Sequence, residues 1–107
     1  MYVATGSYDN TVKLWEIESG LCSATFEGHI AAISCVVFTP CGGLLISGSC
    51  DKTCMMWQLD RVSKRDRCVA TFYGHLEGVL DVCVSQDGSL AATASSDRTC
   101  RIWHLAS

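Results

Sequence analysis

Apolar and β-branched residues run along this chain in bursts of about five to eight, separated by polar clusters rich in Ser, Asp, Gly and Thr. Nowhere do apolar positions recur with the spacing of an amphipathic helix, so the pattern predicts strands throughout. Ten are expected, beginning near Tyr2, Thr11, Cys22, Ala32, Leu44, Thr53, Cys68, Val79, Leu90 and Thr99. Turn chemistry falls between them, at Glu18-Ser19-Gly20, Pro40-Cys41-Gly42-Gly43 and Asp87-Gly88.

The strands are organised by an internal repeat. Ser7-Tyr8-Asp9-Asn10-Thr11-Val12-Lys13-Leu14-Trp15 aligns without gaps with Ser49-Cys50-Asp51-Lys52-Thr53-Cys54-Met55-Met56-Trp57 and with Ser95-Ser96-Asp97-Arg98-Thr99-Cys100-Arg101-Ile102-Trp103. Successive tryptophans lie 42 and 46 residues apart. A second marker occurs as Phe26-Glu27-Gly28-His29 and Phe72-Tyr73-Gly74-His75, and each histidine precedes its tryptophan by 28 residues. The four extra residues of the longer period therefore lie between Trp57 and His75. Each marker Asp sits where a tight turn feeds the next strand, and its carboxylate can accept backbone N–H bonds there.

Ser or Thr, His and Asp are also the parts of a hydrolytic triad. Here they come in sets. His29, Ser47, Asp51 and Trp57 hold the same relative positions as His75, Thr93, Asp97 and Trp103, and Thr5, Asp9 and Trp15 repeat the set without its histidine. An active site is normally built once, a structural device once per repeat. No catalytic residue is therefore assigned, and an enzyme is not expected.

In its Gly-His pairs, its Ser-x-Asp-x-Thr-x-x-x-Trp segments and its constant internal spacing, the whole chain resembles the WD-repeat family. One departure is visible: Trp15, Trp57 and Trp103 are followed by Glu16, Gln58 and His104, never by the Asp that gives the family its name. The resemblance implies four-stranded antiparallel blades around a channel. It also implies a hydrogen-bonded tetrad in each blade, in which the Trp indole donates to the Ser or Thr hydroxyl and the histidine links that hydroxyl to the turn Asp. Laid on that plan, the chain is all-β and forms an open, partial propeller of about two and a half blades. Residues 1–27 would be an incomplete first blade, 28–74 a complete second and 75–107 an incomplete third. A closed ring takes about 4–8 blades, so the remaining blades are expected from a longer chain or an oligomer.

Composition narrows the function. The formal net charge of −3 creates no field that favours nucleic acid or an anionic membrane. The longest mostly apolar run, Ile30 to Phe38, is too short to span a bilayer, and the N-terminal residues lack the pattern of a secretory signal. Eight cysteines are present, but none is arranged as C-x-x-C, and the three histidines lie far apart, so neither metal nor cofactor is expected. Most cysteines occupy apolar repeat positions and read as reduced core thiols in a cytoplasmic or nuclear protein, with Cys50 the exposed exception.

By the resemblance, partners are other proteins or peptides, docked at the channel rim and upper face. The positions implied are Tyr8, Cys50 and Ser96, each before a turn Asp, and Ser34 and Leu80, each five after a histidine, with Asp81 adding a charge. Neither a small-molecule substrate nor a membrane is expected. The leading reading is a non-enzymatic interaction scaffold within a multiprotein complex. Two alternatives stand beside it: substrate recognition for a ubiquitin ligase, and nucleic-acid or import-receptor binding through the basic segment 61–67. That segment carries Arg61, Lys64, Arg65 and Arg67 but no aromatic for stacking.

Overall fold

A computed structural model describes residues 2–40, 43–59 and 68–105. Among these the structure is all strand and turn. The strands are β1 (Tyr2–Gly6), β2 (Val12–Glu16), β3 (Cys22–Phe26), β4 (Ile33–Phe38), β5 (Leu44–Ser49), β6 (Cys54–Gln58), β7 (Cys68–Phe72), β8 (Val79–Val84), β9 (Leu90–Ser95) and β10 (Cys100–His104). Each begins within one residue of the position expected from the pattern. They form three antiparallel sheets in the orders β1-β2-β3, β4-β5-β6-β7 and β8-β9-β10.

The hairpins β1–β2, β5–β6 and β9–β10 are closed by the same turn, and the repeated Ser and Asp explain it. Asn10, Lys52 and Arg98 adopt left-handed φ values of 73°, 78° and 71°. A lysine or arginine is uncommon there, so other bonds must hold the backbone. The N–H of each of these residues donates to the carbonyl of Ser7, Ser49 or Ser95, at 3.2–3.3 Å. The Asp Oδ1 accepts the N–H of Thr11, Thr53 or Thr99 at 3.0, 2.9 and 2.9 Å.

Strand alternation puts β5 between two cores. Leu45 belongs to a cluster with Val12, Leu14, Phe26 and Trp57, between the first and second sheets. Its neighbour Ile46 belongs to the other, with Cys54, Met56, Val79, Val82 and Ala91, between the second and third. Side chains on a strand alternate between faces, so the run Leu44-Leu45-Ile46 serves both cores. The sheets stack through their first strands, with β4 packed against both β1 and β8. Gly48 permits that approach, because a Cβ there would lie 2.5 Å from Cys35 Sγ and 2.7 Å from Val79 Cγ1.

The expectation of core cysteines needs correction. Cys54 is buried, but Cys22, Cys83 and Cys100 are exposed, and Cys35 and Cys68 are half-buried. Cys54 and Cys100 occupy the same repeat position. The third sheet covers Cys54, whereas among the described residues no sheet lies on the face that carries Cys83 and Cys100. Cys50 is exposed, as its place before the turn Asp implies. Cys41 lies outside the described residues.

Candidate functional site

The first constellation spans the second sheet. His29, in the loop from β3 to β4, is buried. Its Nδ1 lies 2.7 Å from Asp51 Oδ2 and its Nε2 2.7 Å from Ser47 Oγ. The Trp57 indole N–H donates to the same Ser47 Oγ at 2.8 Å. One assignment satisfies all three bonds: Ser47 accepts from the indole and donates to Nε2, while Nδ1–H donates to the carboxylate. Phe26, at the end of β3, leans on Trp57 with ring centroids 5.4 Å apart. The N–H of Ile30 also donates to Asp51 Oδ2, at 3.2 Å. The network therefore ties the loop that enters the sheet to the turn between its second and third strands.

The third sheet repeats this arrangement. His75 lies 3.0 Å from Asp97 and 2.7 Å from Thr93, whose hydroxyl accepts the Trp103 indole N–H at 2.9 Å. Leu76 N–H donates to Asp97 at 2.9 Å. In the first sheet Trp15 donates to Thr5 at 2.8 Å, while Asp9 accepts the N–H and hydroxyl of Thr11 in its own turn.

These bonds set the carboxylate chemistry. Burial works against the charge on Asp51, but the Thr53 hydroxyl, His29 and the Thr53 N–H outweigh it and hold the carboxyl below its ordinary range. Asp97 is held lower still, first by the Thr99 hydroxyl and then, against burial, by Leu76 N–H, His75 and Thr99 N–H. The hydroxyls are poorly placed as nucleophiles, since Ser47 is 0% and Thr93 1% exposed. A nucleophile must reach its substrate. Among the described residues no three His, Cys, Asp or Glu side chains are grouped to hold a metal ion.

The expected docking residues lie apart from these networks. Tyr8 is 94% exposed. With Ser34, Cys50, Gly6, Ser7, Ala32 and Ile33 it lines a groove of about 410 Å³ where the first two sheets meet. Ser34 is less free than its exposure suggests, because its hydroxyl donates to the carbonyls of Gly48 and Val79 and so bridges the second and third sheets. Leu80, Asp81 and Ser96 are exposed outside that groove. Asp81 instead lines a shallow depression of about 110 Å³ with Cys83, Ala94 and Cys100. The basic segment 61–67 lies outside the described residues.

A second groove, of about 360 Å³, was not anticipated from the sequence. Its walls include Ile30, Lys52, Met55 and Tyr73, over Gly28 and Gly74. The available signal was a bulky apolar residue in a turn beside each Gly-His pair: Ile30 is 85%, Tyr73 72% and Leu76 77% exposed.

Stacked antiparallel sheets of common register, two of them stapled by side chains at the same four repeat positions, define a blade-type repeat protein. The chain belongs to the WD-repeat family: the pattern described as WD domain, G-beta repeat matches residues 1–16, 20–58 and 66–104. Its three sheets form part of a β-propeller. The chain is 34% identical over 64 residues to an uncharacterized WD repeat-containing protein of Schizosaccharomyces pombe, covering 60% of this chain and 17% of that one. It is 50% identical over 46 residues to the Lissencephaly-1 homolog of Dictyostelium discoideum, covering 43% and 11%. It is 46% identical over 52 residues to the apoptotic protease-activating factor 1 of Danio rerio, covering 49% and 4%. The matched stretch thus spans less than a fifth of each of these relatives.

Proposed function

We propose that this chain is a non-enzymatic protein-interaction scaffold that docks partners in the groove lined by Tyr8, Ser34 and Cys50. The observation that carries this reading is the 94% exposure of the Tyr8 side chain at the junction of two blades. A tyrosine offers large contact area at low entropic cost and is enriched among residues that dominate binding energy. Membership of the WD-repeat family supports the same reading. The burial of Ser47 and Thr93, and the engagement of both histidines between hydroxyl and carboxylate, support a structural role for the tetrads.

Residues 1–27, 28–74 and 75–107 act in this proposal as three blades. A further blade, from a longer chain or an oligomer, covers the face that carries Cys83, Cys100 and Ile102. The seven described cysteines are free thiols, which fits the cytoplasm or nucleus, where disulfides are rare.

The test is site-specific photo-crosslinking. A photoreactive phenylalanine analogue replaces Tyr8 in the full chain, and a second variant carries it at the exposed Ser96, outside the groove. Capture of a defined partner protein at position 8 and not at 96, identified by mass spectrometry, is the expected result. Equal capture at both positions, or none at position 8, rejects the groove as a docking site.

A further inference from the structure

The second groove has a composition that specifies its occupant. We propose that it binds an extended peptide segment of a partner protein in which one large apolar side chain stands next to a carboxylate. Ile30, Met55 and Tyr73 form apolar walls, and Gly28 and Gly74 leave the floor bare. A side chain would be crowded at Gly28 and conformationally disfavoured at Gly74. A Cβ on residue 28 would sit 3.0 Å from the Trp57 ring and 3.2 Å from Met55 Sδ. Gly74 has a φ of 147°, which side-chain-bearing residues rarely adopt.

The volume, about 360 Å³, is near the lower end of the roughly 300–1,000 Å³ of ligand pockets. It suits a side chain with its flanking backbone rather than a folded domain. The groove is not a structural seam filled from within: Ile30 and Tyr73 are 85% and 72% exposed. An exposed aromatic and an exposed aliphatic side chain lining one groove make an anchor site of the kind that dominates interface energy.

Charge decides the rest of the partner. Lys52 lines the groove and forms no ion pair among the described residues. The Asp51 carboxylate also lines the groove, but it is turned to His29, Thr53 and the Ile30 N–H and its side chain is 4% exposed, so the charge that the wall presents to solvent is that of Lys52. Arg101 lies beside Gly74, its Cζ 3.2 Å from where a Cβ would stand, but does not line the groove. A carboxylate beside the apolar anchor would meet Lys52 at the groove wall. A nucleic-acid strand would also find an aromatic and a cation here. Lys52 is the one Lys or Arg that lines the groove among the described residues, which suits a single carboxylate and not a run of phosphates, each calling for its own cation.

The groove is separate from the one at Tyr8, so the two proposals fail independently. The full chain is applied to an array of short synthetic peptides carrying Phe or Leu next to Asp, Lys or Ser, and to a single-stranded oligothymidylate. Retention of the apolar–acidic peptides over the apolar–basic ones is expected. Tyr73→Ala should weaken it about tenfold or more. Lys52→Glu should reverse the preference toward apolar–basic peptides, an effect that a merely structural lysine would not produce. Both positions are exposed, and unchanged melting profiles would establish that the variants are folded. Retention of no peptide, a preference that Lys52→Glu leaves unchanged, or binding of the oligothymidylate in place of the peptides overturns the proposal.

Discussion

His29 and His75 show how far a single residue's meaning depends on its partners. Each binds a buried hydroxyl through one ring nitrogen and a turn carboxylate through the other. The recurrence of the set was legible in the sequence, since residues that recur at one spacing occupy one environment; the contacts themselves were what the resemblance to the WD-repeat family implied. What could not be read was the further bond from each carboxylate to the N–H after the histidine, because a backbone N–H belongs to every residue type but proline and leaves no mark in the sequence. Acid should expose this network. Asp51 and Asp97 have folded-state values depressed below the ordinary carboxylate value of about 3.9. A depressed carboxylate contributes stability that is fully present above its unfolded value and is lost as pH falls toward its folded one. The urea midpoint should therefore stay level from neutral pH to about pH 5 and fall below about pH 4. The fall should be shallower in Asp51→Asn. Urea titrations across this range check it, and a midpoint that stays level to pH 2 contradicts it.

At the scale of the strand, position in the repeat and position in the stack give different answers. Strand existence and starts were legible because half-buried strands alternate and their turns carry distinctive residues. Burial was not, because it depends on what lies across the face. Gly48 and Ala94 occupy the same repeat position, but β8 presses on Gly48, while Ala94 borders the open depression beside Cys83 and Cys100. Cys54 and Cys100 differ in the same way. Burial pushes the Cys54 thiol up to about 12. Cys54→Ser should cost about 1–3 kcal/mol, because it puts a hydroxyl into an apolar cluster. Cys100→Ser should stay within about 0.5 kcal/mol of the parent. Urea unfolding of the two variants measures the contrast, and equal losses would show that both thiols are buried in solution.

Over the whole molecule, stability concentrates where two cores share one sheet. All of Leu45–Ser49 is buried, and β5 is the described strand with a fully buried side chain in each of the two main clusters. Its amides should exchange slowest with deuterium, and those of β3 and β10 faster, because local opening there exposes less apolar surface. Mass-spectrometric hydrogen exchange checks this, and equal protection of β5 and β10 contradicts it. The sequence alone determined the all-β class, the ten strands, the turns and the recurrence of the four network positions, because each of these is written in local alternation and spacing. Only the tertiary structure decided which cysteines are buried and which of the expected docking residues share a groove. It also decided that Ile30, Lys52 and Tyr73 converge on a second one. Burial and convergence arise from contacts between sheets, and no periodicity within a strand encodes what its neighbour places across from it.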